Sequence, residues 1–352
     1  MFGVRRYFLT YLVPGMVLVG SALILVGSPW LGVTLPLLVI YLLTPGLNAL
    51  RNRQPRHHAP STVTARQRNA LLLPALPMQL VVLGFAIYAA SLLPNPGLIF
   101  VWILSTGICS ALFAVNVAHE LMHSRHTRDR WLATGLLAAV CFPTFLGVHL
   151  AVHHRYVGTE RDFQSAQLGQ SLYRFWFGAL VGHVRYFVET VTATTRARHQ
   201  ILVCAMVVVS FVLVCATLGG WLAVGFFLAQ GLVAILKLEA VNYLQHYGLA
   251  RGVDGHGRIE RVKHCHAWSQ SSSLTNWALL NLMHHADHHV HPDREFFALC
   301  EESDSPQYPM DFSLMFIVAA IPSLFRAIVH PRLGRGEIQP TATARPQDGV
   351  GV

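Results

Sequence analysis

Charged residues are scarce in this chain. Only 12% of its 352 residues are Asp, Glu, Lys or Arg, whereas 53% are hydrophobic. In an ordinary soluble domain about a quarter of the residues are charged. This deficit excludes both a water-soluble globular domain and a disordered chain. Because the apolar residues are collected in long uncharged runs, the composition predicts one integral-membrane unit.

Paired cysteines are also missing. The six cysteines show no C-x-x-C spacing, so the sequence indicates neither a disulfide framework nor a cysteine-ligated cluster. The net charge is +9 at pH 7, but no basic run is interleaved with aromatic residues, and we expect no nucleic-acid partner. Any metal chemistry must therefore come from the 20 histidines.

Six apolar runs are long enough, or nearly so, for the roughly 20 helical residues that cross a bilayer. They cover residues 7–26, 30–50, 69–93, 98–117, 201–218 and 221–243. Arg5 and Arg6 precede the first run, and the segment between the second and third runs holds five arginines and no acid: Arg51, Arg53, Arg56, Arg66 and Arg68. By the positive-inside rule, this segment and both termini are expected in the cytoplasm, and the membrane is expected to be the bacterial inner membrane.

Other apolar segments are not expected to span. Residues 131–152 contain Pro143 and His149, and we expect them to enter and return or to lie in the cytoplasmic interface. Residues 172–189 carry charges among aromatics and predict either an amphipathic surface helix or an ordinary packed helix. We treat 1–330 as one domain and expect the polar tail 331–352 to be disordered.

Nine histidines form four groups, all in segments that the predicted topology places on the cytoplasmic side. His119 and His123 are four residues apart, so one helix face carries both imidazoles. The second group begins at residue 149, the third is a single histidine after the sixth run, and the fourth begins at residue 285. The nine are His119, His123, His149, His153, His154, His246, His285, His288 and His289. The sequence thus predicts an all-α membrane protein with six spans and a cytoplasmic, histidine-rich helical cap.

This set of histidines predicts a metal site. Burying nine imidazoles at the ends of spanning helices is unfavourable unless an ion coordinates them. Nine exceed the capacity of one ion, so the set predicts two ions with four or five ligands each, and imidazoles favour iron, copper or zinc. An alternative is that His119-Glu120-Leu-Met-His123 is a zinc-protease motif. A protease would leave most of the other histidines unexplained.

Carboxylates are expected beside the ligating imidazoles. Two divalent cations held by neutral imidazoles leave about four positive charges near the membrane, which neighbouring acids would offset. The candidates are Glu120, Asp162, Glu239 and Asp287, each of which is alternatively an ordinary surface acid. The remaining histidines are treated as non-ligands, among them His183, His264, His266, His284 and His291. The roles of His266 and His284 stay open.

The histidine groups and their neighbours resemble the membrane-bound non-haem di-iron hydroxylases, the family of alkane 1-monooxygenase and xylene monooxygenase, which is distantly related to membrane fatty-acid desaturases. The resemblance rests on four motifs in order: Ala118-His-Glu-Leu-Met-His123, His149-x-x-x-His153-His154, Asn242-Tyr-x-x-His246-Tyr-Gly, and His285-x-Asp-His288-His289. It extends to about Leu333. It implies two iron ions on the nine histidines.

Departures from the family pattern leave the substrate class open. Gln245 stands where alkane hydroxylases commonly carry Glu, and is similar instead to the xylene-type enzymes. His284 and Ala286 stand where alkane hydroxylases usually carry Arg and Ser. Linear alkanes and alkyl-aromatic compounds therefore both remain possible substrates.

The resemblance implies an enzyme that uses dioxygen and external electrons to hydroxylate an unactivated C–H bond, expected at a terminal methyl, of a hydrophobic substrate taken from membrane lipid. The chain has no flavin or nucleotide fingerprint, so a rubredoxin or ferredoxin with its NAD(P)H-dependent reductase is expected to supply the electrons. A fatty-acyl desaturase, or a fatty-acid decarboxylase forming 1-alkenes with a carboxylate anchor, would use the same site. A metal transporter would need polar residues along its spans, which are nearly bare of them.

Overall fold

The computed structural model describes residues 4–51, 63–193, 196–253, 256 and 258–333. Within these ranges the regular structure is helical, apart from two isolated β-bridges. The predicted disordered tail lies outside the described residues from position 334 onward, as do Arg53 and Arg56 of the arginine-rich segment. The prediction of an all-helical membrane protein is confirmed at this level.

Four long apolar helices come first: α1 (Arg5–Leu25), α2 (Pro29–Leu50), α3 (Ala65–Ser91) and α4 (Pro96–Met122). Each is long and apolar enough to cross a membrane. Local sequence explains where α4 begins, because the Asn95 side chain accepts a hydrogen bond from the Leu98 amide and Pro96 occupies the first turn. Asparagine at the cap and proline just inside it are a favoured helix start.

A fifth apolar segment, α8 (Arg196–His246), is broken at Gly220, whose φ of 63° and ψ of −158° are not helical. The rings of Phe211 and Phe227, on either side of the break, are 5.9 Å apart. A straight helix would separate these positions by about 24 Å. The two halves therefore fold back on each other, and they correspond to the predicted runs 201–218 and 221–243.

Seven shorter helices complete the described structure: α5 (Thr127–Ala138), α6 (145–156), α7 (Leu172–Thr192), α9 (Ser273–Ala278), α10 (His285–Val290), α11 (Phe312–Ala319) and α12 (Pro322–Leu333). Between α5 and α6 the chain turns at residues 139–144, where Cys141 has a φ of 55°. The Nε2 atom of His123, which precedes the apolar run 131–152, lies 3.1 Å from the Nε2 atom of His149, which is within that run. The apolar run 131–152 therefore returns to the end of the bundle from which it starts.

Close packing of α1 against α2 gives a testable prediction. A Cβ atom at Gly20 would lie 2.6 Å from the Gly32 carbonyl oxygen and 2.9 Å from Cη2 of Trp102. We expect Gly20→Ala to lower the free energy of unfolding by about 1–3 kcal/mol through overpacking, although alanine itself favours a helix. Thermal unfolding in detergent measures this. Gly15→Ala, on the same helix with no atom within 4 Å of the added Cβ, is the matched control, and equal stability of the two variants would contradict the close packing.

Candidate metal centre

The end of α4 supplies the first two imidazoles of the site. His119 and His123 lie one turn apart, and their ring centroids are 5.2 Å from each other. The Nε2 atom of His119 is buried and has no hydrogen-bond partner. A buried imidazole nitrogen without a partner is unfavourable in a folded protein, and it is the atom that a metal ion would use.

Helix α6 supplies three more, and its central residues His149–His153 form a π-helical turn. In a π turn each carbonyl accepts from the amide five residues later, which widens the helix locally and is frequent at functional sites. His153 and His154 are consecutive, so their side chains leave the backbone about 100° apart. They can therefore point into two different groups.

His246 lies at the end of α8, two residues before Gly248. Gly248 has a φ of 70°, a conformation that favours glycine and commonly ends a helix. The Nδ1 atom of His246 donates to the carbonyl oxygen of His266 at 3.3 Å. This hydrogen bond fixes the ring orientation and leaves Nε2 with a free lone pair. His266 thus contributes its backbone to the site and stays outside both histidine groups.

Helix α10 completes the set with His285, His288 and His289, all of them buried. Together the nine predicted histidines form two groups in which the candidate ligand atoms lie within 4.8 Å of one another. One group is His119, His123, His149, His154 and His288; the other is His153, His246, His285 and His289. The two groups are adjacent, since the rings of His154 and His289 are 4.6 Å apart.

Distances inside each group fit coordination of a first-row metal. In the larger group the Nε2 atom of His149 is 3.1 Å from that of His123 and 2.9 Å from that of His154. In the smaller group the Nε2 atom of His285 is 3.1 Å from that of His246 and 2.9 Å from that of His289. Nitrogens bound about 2.1 Å from one ion would lie roughly 3 Å from each other.

Electrostatics also favour ligation. Burial lowers the pKa of the imidazoles of His149, His154, His285, His288 and His289 well below the ordinary histidine value, and neighbouring imidazoles lower it further. Burial lowers the pKa of His123 to about 4. These rings are therefore neutral at physiological pH, which is the state that binds a metal ion.

Of the four predicted carboxylates, Asp162 contacts a histidine of the site directly. Nδ1 of His153 donates to Oδ2 of Asp162 at 2.8 Å, and both side chains are fully buried. Burial alone would raise the pKa of Asp162, but its electrostatic interaction with the adjacent His153 ring, together with hydrogen bonds from His153, Ser165 and the Gln164 amide, holds the pKa below its usual value. The carboxylate orients the His153 ring and leaves its Nε2 free.

Glu120, Glu239 and Asp287 have other contacts. Glu120 accepts from the backbone amide of Phe296 at 3.4 Å. Glu239 is buried and accepts hydrogen bonds from three side chains, those of His183, Gln164 and Asn242. Asp287 pairs with Arg294 at 2.8 Å, and the Nε2 atoms of His264 and His291 both lie 3.8 Å from it.

Several of these partners could not be read from the sequence. His264 and His291 were expected to be non-ligands without a defined role, yet they gather with Arg294 around Asp287. Arg294 follows Asp287 after a turn of the chain, so no helical spacing links the two. His183, on α7, was also expected to be a non-ligand and forms a buried pair with Glu239. His284 precedes α10 as its cap residue and belongs to neither histidine group.

An apolar cavity of about 350 Å³ borders both histidine groups, because His119, His149 and His285 line it. Its walls come from α1, α2, α4, α6, α8, α9, α10 and α11. Three π-helical turns in the described residues each contribute to this lining: Val39–Leu43, Ala111–Val115 and His149–His153. A cavity of this size and polarity suits a small hydrophobic ligand.

Comparison with known proteins agrees with this geometry. A model of the fatty acid desaturase family matches residues 94–310. Alkane 1-monooxygenase 2 of Alcanivorax borkumensis is 33% identical over 74% of this chain and 71% of that protein. Alkane 1-monooxygenase 2 of Pseudomonas aeruginosa is 30% identical over 87% of this chain and 84% of that protein. The xylene/toluene monooxygenase hydroxylase component XylM of Pseudomonas putida is 30% identical over 66% of this chain and 63% of that protein.

The matched range contains all nine histidines, and the chain is a membrane protein of the fatty acid desaturase class. Within that class it belongs to the family of alkane and xylene monooxygenases, which are oxygen-dependent oxidoreductases. The resemblance predicted from the four histidine motifs is confirmed.

Proposed function

We propose that this protein is a membrane monooxygenase that hydroxylates a C–H bond, expected at a terminal methyl, of an alkane or an alkyl-aromatic compound. One observation carries the proposal: two groups of clustered histidines, seven of the nine buried, border a single apolar cavity. A hydrocarbon in that cavity would lie against His119, His149 and His285. The apolar walls would hold it by hydrophobic contact and exclude water from the reacting carbon.

Two iron ions are the cofactors that we assign to the histidine groups, one to the group of five and one to the group of four. When bound, iron supplies the oxygen and electron chemistry that no side chain can provide. The reaction consumes the hydrocarbon, dioxygen, two electrons and two protons and yields the alcohol and water. The chain's own part is to hold the ions and the hydrocarbon, with Asp162 and the His266 carbonyl fixing the orientation of His153 and His246.

The electrons would come from a separate rubredoxin or ferredoxin and its NAD(P)H-dependent reductase. The six cysteines form no disulfide and are dispersed along the chain, so they offer no clustered ligand set for a cysteine-bound redox centre. Arg125 and Arg128 line a surface cavity that also reaches His123. Acidic electron carriers would be attracted to such exposed arginines, although the same residues also serve the positive-inside rule.

The proposed topology has six spans in the bacterial inner membrane, with the histidine groups and both termini in the cytoplasm. The hairpin at Gly220 supports six rather than five crossings, because α8 is about twice as long as one bilayer crossing requires. The arginines before α1 and between α2 and α3 support the cytoplasmic placement of those segments.

Product analysis with labelled oxygen tests the proposed function. Iron-loaded protein in detergent, supplied with an electron donor system, decane or p-xylene and oxygen-18 gas, is expected to give the alcohol carrying one labelled oxygen atom. Chelation of iron before the assay is expected to abolish the product. A parallel assay supplies decanoate in place of the hydrocarbon. An unlabelled unsaturated product would indicate a desaturase, a terminal alkene from decanoate would indicate a decarboxylase, and either result without labelled alcohol from decane or p-xylene would overturn the proposal.

A further inference from the structure

Two arginines meet one tryptophan at the end of the bundle where α1 begins and α2 ends. Arg6 lies in the first turn of α1, and Arg51 directly follows α2. The Cζ atoms of Arg6 and Arg51 lie over the indole ring of Trp277, 5.9 Å and 5.2 Å from its centroid. Trp277 belongs to α9. Distances of about 6 Å or less allow a cation–π interaction, so one ring holds two guanidinium groups close together.

The positive charge of this pair has no acidic partner. Over the ranges that the structure describes, neither Arg6 nor Arg51 forms an ion pair. Nη2 of Arg6 donates to the hydroxyl of Tyr7 at 3.0 Å, and its Nε has no hydrogen-bond partner. Both guanidinium groups stay charged and carry several N–H donors. Two like charges beside one ring repel each other, and an anion that binds both would offset this repulsion.

An exposed apolar surface adjoins the two arginines. Both α1 and α2 are long and apolar enough to cross a membrane. Four large apolar side chains close to Arg6 or Arg51 in the sequence are exposed: Phe8, Leu12, Leu47 and Leu50. Tryptophan and arginine are both common where a spanning helix meets the headgroup region of a bilayer. A ligand at this place meets positive charge and apolar surface together, as an amphiphile with an anionic headgroup requires.

Hydrogen bonds tie the helix that carries Trp277 to α1 and α2. Near the end of α2, Nδ2 of Asn48 donates to Oγ1 of Thr275 at 2.9 Å, and its Oδ1 accepts from the Leu274 amide at 3.1 Å. Beyond α9, Nδ2 of Asn281 donates to the hydroxyl of Tyr7 on α1 at 2.8 Å. Leu274 and Thr275 also line the apolar cavity. A ligand that joins the two arginines would therefore hold together three elements that enclose the cavity.

We propose that Arg6, Arg51 and Trp277 form a binding site for an anionic phospholipid, with its phosphodiester at the two guanidinium groups and its acyl chains along the exposed face of α1 and α2. Arginines near a membrane surface attract anionic lipids, and guanidinium groups donate charge-assisted hydrogen bonds to phosphate oxygens. The bound lipid joins α1, α2 and α9 and so stabilises one wall of the cavity. This inference goes beyond the proposed function and does not depend on which reaction the protein catalyses.

Native mass spectrometry of the purified full-length protein in detergent tests the site. The probes are phosphatidylglycerol and phosphatidylcholine with the same acyl chains, because both carry a phosphodiester but only the first has a net negative charge. The unchanged protein is expected to bind phosphatidylglycerol more tightly. The double variant Arg6→Gln/Arg51→Gln is expected to lower the affinity ratio of phosphatidylglycerol to phosphatidylcholine by roughly tenfold or more, because it removes two charge-assisted contacts.

A second double variant separates this site from the general positive charge of the chain. Arg66, in the first turn of α3, and Arg130, on α5, are both exposed. Arg66→Gln/Arg130→Gln removes the same net charge without changing the contacts of Trp277, and it is expected to keep the affinity ratio. An equal fall in both double variants, or an unchanged ratio in Arg6→Gln/Arg51→Gln, would overturn the inference.

Two further arms test the role of charge and the source of the phosphate. Arg6→Lys/Arg51→Lys keeps both positive charges, so it is expected to keep a larger affinity ratio than the glutamine variant, and equal ratios would contradict binding by charge. Glycerophosphoglycerol is the headgroup of phosphatidylglycerol without acyl chains. An equal concentration of it is expected not to displace the lipid, and displacement would assign the site to a soluble phosphate ester instead.

Hydrogen exchange in lipid nanodiscs tests the effect on α9. The amides of Ser273–Ala278 are expected to exchange severalfold more slowly in phosphatidylglycerol than in phosphatidylcholine, because the bound lipid holds Trp277 against α1 and α2. Arg6→Gln/Arg51→Gln is expected to abolish this difference. Equal exchange of the unchanged protein in the two lipids, or a difference that persists in the variant, would contradict stabilisation of α9 by the lipid.

Discussion

Replacing His288 by alanine is expected to reduce the rate of hydroxylation by more than about a hundredfold. Removing a residue that only supports a metal ligand costs about 10- to 100-fold, and removing a ligand itself is expected to cost more. His288 belongs to the group of five, and its Nε2 atom is 3.1 Å from that of His154. The substitution removes one of the five imidazoles of this group, so the ion proposed there would lack one ligand. The measurements are iron per chain and the rate of alcohol formation, and both are expected to fall.

His126→Ala is the matched control for this substitution. His126 follows the same helix end as His123, but it is exposed and belongs to neither histidine group. Its variant is expected to keep the iron content and the rate of the unchanged protein. The parallel variant His285→Ala removes a ligand from the group of four and is expected to lose iron as His288→Ala does. Full iron occupancy in either ligand variant would remove that residue from the metal site.

Asp162→Asn is expected to weaken iron binding about 10- to 100-fold, because it replaces the charged acceptor that orients His153 with a neutral amide of similar shape. The experiment follows loss of iron from the purified protein against increasing concentrations of a chelator. If Asp162 acts through His153, added ferrous iron is expected to restore much of the activity. A purely structural defect would not respond to added iron.

Glu160→Gln provides the comparison for Asp162. Glu160 carries the same charge two residues earlier, but its side chain is exposed. Removing this charge is expected to leave the chelator concentration for half-loss of iron unchanged. An equal loss in both variants would mean that the general negative charge of this loop, rather than the contact with His153, supports iron binding.

Hydropathy predicted the long helices well, because the cost of placing charged side chains in lipid restricts them to the ends of the runs. The interruptions between successive apolar helices could also be predicted. They coincide with Ser28-Pro29, Asn95-Pro96 and Gly219-Gly220, which disfavour helix continuation or begin a new helix. The apolar run ends at residue 117, whereas α4 continues to Met122. The four-residue spacing of His119 and His123, rather than hydropathy, predicted that a helix carries these imidazoles. The Nε2 atom of His119 is buried there without a hydrogen-bond partner, and the proposed metal ion would satisfy it.

The histidines of the site were predictable, but their division into two groups was not. Spacing places His119 with His123, and His285 with His289, on single helix faces. It does not indicate that His285 and His289 join His246 while His288 joins His154. That division depends on how α6, α8 and α10 meet, and on the π-helical turn at His149–His153. These are long-range contacts that a local pattern does not contain.

The sequence also did not predict which residues surround the acids and Lys237. Glu239 was expected beside a ligating imidazole, but the structure places it against His183 and Gln164, residues far away in the chain. Lys237 lies near the end of an apolar run, where a lysine commonly reaches water. In the structure Tyr41 and Phe316, from two other helices, enclose its ammonium group.

The number and kind of metal ions per chain test the central claim most directly. Metal analysis of purified protein from iron-replete cells, combined with Mössbauer spectroscopy, counts the ions and reports whether they interact. The two histidine groups predict two iron ions per chain in adjacent sites. A chelator is expected to remove both ions and, with them, the oxygen-dependent formation of the alcohol. A single iron ion per chain, or zinc in both groups in a protein that still forms the alcohol, would contradict the account.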